Sequence, residues 1–538
     1  MARSQQRQPL RHRAVIPVLR DAAPLFMLGS ALFYTNRWFM LISGETSAIA
    51  GANRKVSEIL GAVRSTGANT FPFIYELLLR IWNWITGGAL DWFRAPAIFC
   101  FLIGLWFLSR VVRRLSNDES SNALVWLGTL WPFGFVYGRL ASPQSFAFLL
   151  VAVVTWQYFR TVSSPNRREW MALCILCLLL LYTDDFSWAL FGCLAFDFVL
   201  RTPPAEPGKN EPLQASSARE KTAGIFATAA VLAIGFAPRW PAFAQEVHAV
   251  RMPHSARLLL FDAIYNFYTW FVSPAMAPWF WRFSIPAAAG ILTLLVLAFL
   301  GVRAQARRFL IFSLALFCLM LLTGSLQTGR LLMIAPWSLV PLAIALGTIE
   351  KWQWRIPMAF ALALVAAMGW YGILNRQHYA DSTFFEPWPE LAQNAAAEAR
   401  SGSGVISNDQ TFFLYLNHSL ESSNQGSGSS LPGTLPAQVP NASVWDPKQW
   451  EAAGMPKPPA MFWVRGSSDP ETMAALERTS RWLGDNCGDR ITQFLARDPS
   501  YAWKQRFIPG FAGEPWLIEV RQYTCSQTAP AEGTGPNH

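Results

Sequence analysis

Residues 97–114 read AIFCFLIGLWFLSRVVRR, an apolar run closed at one end by Arg110, Arg113 and Arg114. A helix crossing the hydrocarbon of a bilayer needs about 20 apolar residues, or roughly 17 when its ends are anchored. The same pattern recurs at 122–138, 144–159, 222–236, 284–300, 309–323, 331–349 and 356–371. An opening run covers 15–34, and 171–183 with 186–200 reads as a short hairpin broken at Asp184-Asp185. Eleven crossings are therefore expected. The 538 residues are 52% hydrophobic and only 14% charged, with 25 tryptophans, which excludes an ordinary soluble domain.

The net charge of +10 would suit a nucleic-acid binder if it were gathered in one patch. It is distributed by side of the membrane instead. With Arg3, Arg7, Arg11, Arg13 and Arg20 in the cytoplasm, alternate loops deliver the arginine and lysine clusters to that same side. Examples are Arg160, Arg167 and Arg168, then Arg303, Arg307 and Arg308, then Lys351 and Arg355. The short outer loops carry only Arg139 and Arg330. This is the positive-inside asymmetry of a multi-pass protein of the cytoplasmic membrane with its N-terminus inside. No charge is left over for nucleic acid. The basic N-terminal segment lacks a small-residue cleavage site and reads as an uncleaved anchor.

Two domains are expected: a transmembrane bundle over 1–375 and a small extracytoplasmic α/β domain over 376–538. The first outer loop, about 35–94, holds amphipathic segments at 55–63 and 73–90 that read as helices lying along the interface. A second outer loop, about 238–282, holds another at 256–271. In the tail, 404–407, 460–465 and 516–523 read as strands and 469–483 as a helix, with 401–404 and 422–433 as loops. Cys487 and Cys525 are the only cysteines outside the spans, and an oxidising compartment would join them. No spacing resembles a zinc site, the pattern specifies no cofactor, and it leaves open whether a divalent metal assists.

Ionisable groups in or beside spans are costly and mark function by default. Glu45 follows the first span, Arg139 follows the third, Asp184-Asp185 form the hairpin tip, and Arg330 opens the tenth. All fall on the outer face. Glu76 and Arg80, four apart on an interfacial helix, read as a surface pair.

These segments resemble protein O-mannosyltransferase-like enzymes of the GT-C superfamily, which use polyprenyl-phosphate sugars. Residues 71–82, FPFIYELLLRIW, followed by Phe93-Arg94-Ala95-Pro96-Ala97, are similar to the family's HPPLYYLLLRLW and RLPSA. Residues 131–143 resemble SPF…ARPY, 181–186 resemble LYTHYF, and Gly329-Arg330-Leu331-Leu332 with Pro336 resembles RYLLPALP. The resemblance runs over about residues 20–400. It implies a GT-C-like all-α bundle with a lipid-linked sugar as donor and a hydroxyl of a glycan, lipid or protein as acceptor. On it, Glu45, helped by Asp184 or Asp185, takes the acceptor proton, and Arg330 with Arg139 holds the donor phosphate. The site departs from the family. Gly44-Glu45 stands where the family has Asp-Glu, Phe71 and Asp184 where it has histidines, and Ser142 where it has arginine. Two further readings follow: an inactive relative that binds lipid-linked glycan or scaffolds an envelope assembly, and a transporter. Against the transporter, the chain shows no inverted repeat.

Overall fold

A computed structural model describes residues 11–36, 41–61, 73–87, 92–163, 166–200, 218–249, 256–302, 304–348, 352–375, 386–421, 443–466, 470–498, 501–507 and 515–525. The loop expected at 422–433 and the Phe71-Pro72 element lie outside these residues. The chain divides into two compact units. The first comprises Met1–Asn36, Arg54–Asn83 and Ala89–Ala380; the second comprises Arg37–Asn53, Trp84–Gly88 and Asp381–His538.

The first unit is helical. Its most enclosed element is Leu331–Thr348, which is apolar on every side and buried at nearly every residue, as a helix with no polar face must be. Asp118–Leu130, Pro143–Ser163 and Ala304–Leu322 pack around it. Trp337 is wholly buried on it, and its indole N–H donates to Thr155 Oγ1 at 3.0 Å. Gly347 permits the closest approach: a Cβ there would lie 2.3 Å from Ser120 Oγ and 2.5 Å from Ser120 N. Small residues allow such backbone contacts between membrane helices. Asp197 is a second cross-tie, accepting from Tyr158 Oη at 2.8 Å and Arg308 Nη1 at 3.2 Å, so three helices share one buried carboxylate.

The expected eleven crossings are not all confirmed. Among the described residues five helices are long and apolar enough to span: Ala95–Leu115, Pro143–Ser163, Trp281–Gly301, Thr328–Thr348 and Gln353–Asn375. A sixth forms if Gly224–Gly235 and Ala237–Gln245, bent by 54°, count as one. The run at 122–138 breaks into Asp118–Leu130 and Pro132–Tyr137. Pro132 bars its predecessor from the helical region, and Trp131 is extended at φ −75°, ψ 108°. The hairpin helices Arg167–Leu181 and Ser187–Leu200 have 15 and 14 residues, short of a full crossing. The interfacial segments are helical, as Val56–Gly61, Phe73–Thr86 and Ala256–Val272.

The second unit is built on a five-stranded sheet in the order β2-β1-β3-β5-β4. The strands are β1 (Gly404–Ser407), β2 (Ser443–Trp445), β3 (Ala460–Arg465), β4 (Gly488–Arg497) and β5 (Trp516–Thr524). β1 runs parallel to β2 and β3, while β5 is antiparallel to β3 and β4. Alternate strand residues face opposite ways. Val405, Phe462, Val464, Ile518 and Val520 pack with the helices Trp388–Arg400 and Gln410–Glu421. Ile406, Met461, Trp463 and Tyr523 pack on the other face with Trp450, Leu476 and Leu483. Cys487 and Cys525, at adjoining ends of β4 and β5, are disulfide-bonded. Ser43–Asn53 docks on Gln410–Glu421, with Leu41 N donating to Tyr415 Oη at 3.0 Å and the Thr46 and Thr411 hydroxyls 3.4 Å apart.

Two measurements test this packing. Gly347→Ala must push two helices apart and should cost about 1–3 kcal/mol, read as a lowered melting temperature in detergent. Serine at Cys487 and Cys525 opens a loop of 38 residues and should cost the second unit about 4 kcal/mol on the chain-entropy account. In the parent protein neither thiol should react with maleimide under denaturing conditions before reduction.

Candidate functional site

The tip of the short hairpin is the most heavily braced polar point of the first unit. After Leu181 the chain reverses through Tyr182 to Phe186. Asp184 closes that turn on itself, its Oδ1 accepting from Phe186 N at 2.9 Å. Its Oδ2 accepts from Arg330 Nε at 2.8 Å. Arg330 ends the 3-10 turn Thr328–Arg330, which leads into the enclosed helix Leu331–Thr348. Its Nη1 donates to Ser325 O at 3.1 Å. Nη2 has no hydrogen-bond partner among the described residues. Both side chains keep some solvent access, at 25% for Arg330 and 14% for Asp184. Thr328 fixes the turn from the other side, its hydroxyl donating to Asn266 Oδ1 at 2.8 Å from the helix Ala256–Val272.

Asp185 makes a second pair at the same tip, accepting from Arg239 Nη2 at 3.2 Å. Arg239 lies where the bent helix pair breaks, next to Pro238. Aromatic rings cluster on the residues flanking this pair. Trp188 stacks on Trp240 with centroids 5.6 Å apart, and Phe236 stands edge-on to both. Tyr182 donates its hydroxyl to Gly235 O at 2.7 Å and receives Phe73 edge-on at 5.3 Å. Two carboxylates are thus each matched by a guanidinium beside a rigid aromatic wall.

Next to Arg330, Gly329 faces the Tyr137 ring and the Gln144 amide. A Cβ at 329 would lie 3.5 Å from the ring and 3.6 Å from Gln144 Cδ. Gln144 is half-buried, and its Oε1 is enclosed without a hydrogen-bond partner among the described residues.

Of the residues singled out from the sequence, the structure brings Asp184 and Arg330 into direct contact. Arg139 has a different setting. It is fully buried, with Nε on Phe135 O at 2.9 Å, Nη1 on Thr35 O and Oγ1, and its guanidinium 4.1 Å above the Phe135 ring. These contacts fasten Pro132–Tyr137 to the end of the opening helix. Glu45 belongs to the second unit, fully buried in the first turn of Ser43–Asn53. Its Oε2 accepts from Ile42 N at 3.2 Å, the return bond of a capping box. Glu76 and Arg80 do not form the expected surface pair. Glu76 is buried, burial raises its pKa with Arg54 partly opposing, and Arg80 Nη1 donates to Arg54 O.

Sequence reasoning passed over Arg239 and Gln144. Arg239 had a signal, as a lone cation inside the aromatic segment Phe236-Ala-Pro-Arg-Trp240. Gln144 had none, because an uncharged amide at a helix start is unremarkable in sequence.

No family model matches the chain, and no curated protein matches it in sequence. Solved structures do. The crystal structure of ArnT from Cupriavidus metallidurans in the apo state superposes with a TM-score of 0.52 at 12% identity, covering 95% of this chain and 98% of that one. The same protein bound to undecaprenyl phosphate gives 0.48 at 12% identity, over 96% and 98%. At such identity the likeness speaks for the fold alone: this chain shares the fold of the apo ArnT structure, and five of its described helices are long and apolar enough to cross a membrane.

Proposed function

We propose that the protein is an integral-membrane glycosyltransferase that moves a hexose from a polyprenyl-phosphate donor to an acceptor hydroxyl at the outer face of the cytoplasmic membrane. The observation that carries this reading is Arg330, held by Asp184 on one edge, with Nη2 uncommitted and the side chain still reachable. A reachable guanidinium of this kind can hold a leaving lipid phosphate by directed hydrogen bonds, and the fold shared with the apo ArnT structure supports the reading. The acceptor oxygen forms a bond to the anomeric carbon as the anomeric bond to phosphate breaks. The departing electron pair goes to the phosphate, whose charge a guanidinium stabilises with directed hydrogen bonds. The acceptor proton passes to a carboxylate. Asp184, Asp185 and Glu45 are the proposed bases, and transfer in a single displacement needs no covalent intermediate on the enzyme. The motif resemblance favours a mannose-type sugar and a glycan, lipid or protein acceptor.

A second reading is binding without turnover. It is favoured by the engagement of Asp184 with Arg330 and of Glu45 with its own cap, which leaves neither carboxylate uncommitted.

Labelled undecaprenyl-phosphate hexoses supplied to the purified protein, with membrane extract as acceptor source, separate the two readings. Transfer is expected, and Arg330→Ala should lower kcat/KM by about 100-fold or more, the cost of removing one transition-state donor. Asp184→Asn, Asp185→Asn and Glu45→Gln, assayed singly, identify the base as the variant that binds donor normally yet turns over slowly. If the parent protein binds the lipid but transfers nothing, and Glu45→Gln changes nothing, the binding reading stands instead.

A further inference from the structure

We infer that Gln144 recognises a hydroxyl of the sugar on the lipid-linked donor, making it a specificity residue next to the phosphate-binding arginine. The inference rests on the glycosyltransferase reading and deepens it.

Three observations carry it. Gln144 Oε1 is enclosed and has no hydrogen-bond partner among the described residues. A buried amide oxygen without a partner costs free energy, and such groups in a folded protein call for an explanation, a ligand among them. Its place in the fold supplies that explanation. Cδ lies 3.6 Å from where a Cβ on Gly329 would stand, so the amide rests against the peptide that leads directly into Arg330. The surroundings are also fixed. Ser145, the next residue, donates its hydroxyl to Tyr137 O and Gly138 O at 3.3 and 3.1 Å, which pins the start of Pro143–Ser163 to the preceding helix. Thr328 is pinned to Asn266. The Gln144 side chain makes no hydrogen bond among the described residues, so on this firmly held backbone its amide is free to turn its carbonyl toward a donor group of a ligand held at Arg330. In a glycosyl phosphate the groups at that distance are the sugar hydroxyls.

Selectivity follows from the same accounting. A lipid phosphate without a sugar brings no donor to this carbonyl, so it gains nothing there. A sugar hydroxyl removes the deficit, and a site built to hydrogen-bond a hydroxyl discriminates against a ligand that lacks one.

The test is equilibrium binding by the full-length protein in detergent or nanodiscs, with bare undecaprenyl phosphate and with the best-bound member of a panel of undecaprenyl-phosphate hexoses and pentoses. Gln144→Met keeps the length and packing of the side chain and removes the acceptor. The parent protein should bind the sugar-bearing lipid more tightly than the bare one. Gln144→Met should weaken the sugar-bearing lipid about tenfold, one hydrogen bond's worth, and leave the bare lipid unchanged. Arg330→Ala should weaken both. Equal weakening of both lipids by Gln144→Met, or of neither, overturns the inference while leaving the glycosyltransferase reading intact. A parent protein that binds neither lipid overturns both.

Discussion

A guanidinium and a carboxylate 2.8 Å apart join the head of the most enclosed helix to the tip of the shortest hairpin. The bond adds to contacts that already hold each element, Trp337 on Thr155 for the helix and Tyr182 on Gly235 for the hairpin. Leu331–Thr348 is apolar all round, so its burial is enforced, but an apolar surface does not fix rotation or axial register. Arg330 at its first turn supplies that register. The hairpin helices are too short to be set by the thickness of a bilayer, and Asp184 supplies theirs. Partial exposure makes the pair serviceable for chemistry. In a fully dry interior, separating the partners would leave an unpaired charge at prohibitive cost. With water reaching both, Arg330 can turn part of its hydrogen bonding toward an incoming phosphate without stranding Asp184.

The Asp185–Arg239 pair at the same tip has a different character. Its arginine sits at the break of a helix pair bent by 54°, and the rings of Trp188, Phe236 and Trp240 cluster on the flanking residues. Aromatic pairs contribute beyond the area they bury, so the rings stiffen the chain on this side of the tip. Both pairs keep some solvent access, 15% and 19% for Arg239 and Asp185 against 25% and 14% for Arg330 and Asp184.

The sequence revealed the helical fold, the interfacial helices and three of the five strands, because each is written in the period of its apolar residues. It overcounted the crossings for a physical reason. Hydrophobicity sums along a run and is blind to a break inside it, so Trp131-Pro132 ended a helix where composition saw one continuous stretch. β2 and β4 escaped because one has three residues and the other, GDRITQFLAR, alternates weakly and is polar at its ends. Charges were the clearest guide to the site and also the least reliable. Arg330 and Asp184 are in contact, whereas Arg139 is buried against Phe135 and Thr35 and Glu76 went inside. A charge in sequence says that something must compensate it, but not whether the compensator is a ligand, a backbone carbonyl or a helix end.

Glu45 shows how that ambiguity is resolved. A carboxylate in the first turn of a helix is stabilised there by the exposed N–H groups and the helix dipole, whether or not it has a reaction to perform. Its bond to Ile42 N is what a capping residue makes, and the Thr46–Thr411 and Leu41–Tyr415 contacts hold that helix on the sheet unit. The cap is thus a local reason for a carboxylate at 45, beside its proposed role. Arg330 has no capping role of this kind. Its helix begins without needing a cation, since the N-terminal end of a helix is already positive and a guanidinium there is unfavourable. A guanidinium placed against the local electrostatic preference is made tolerable by the Asp184 carboxylate, and the same bond ties the hairpin tip to this helix. That placement, with Nη2 left over, is why the proposed chemistry is centred on Arg330.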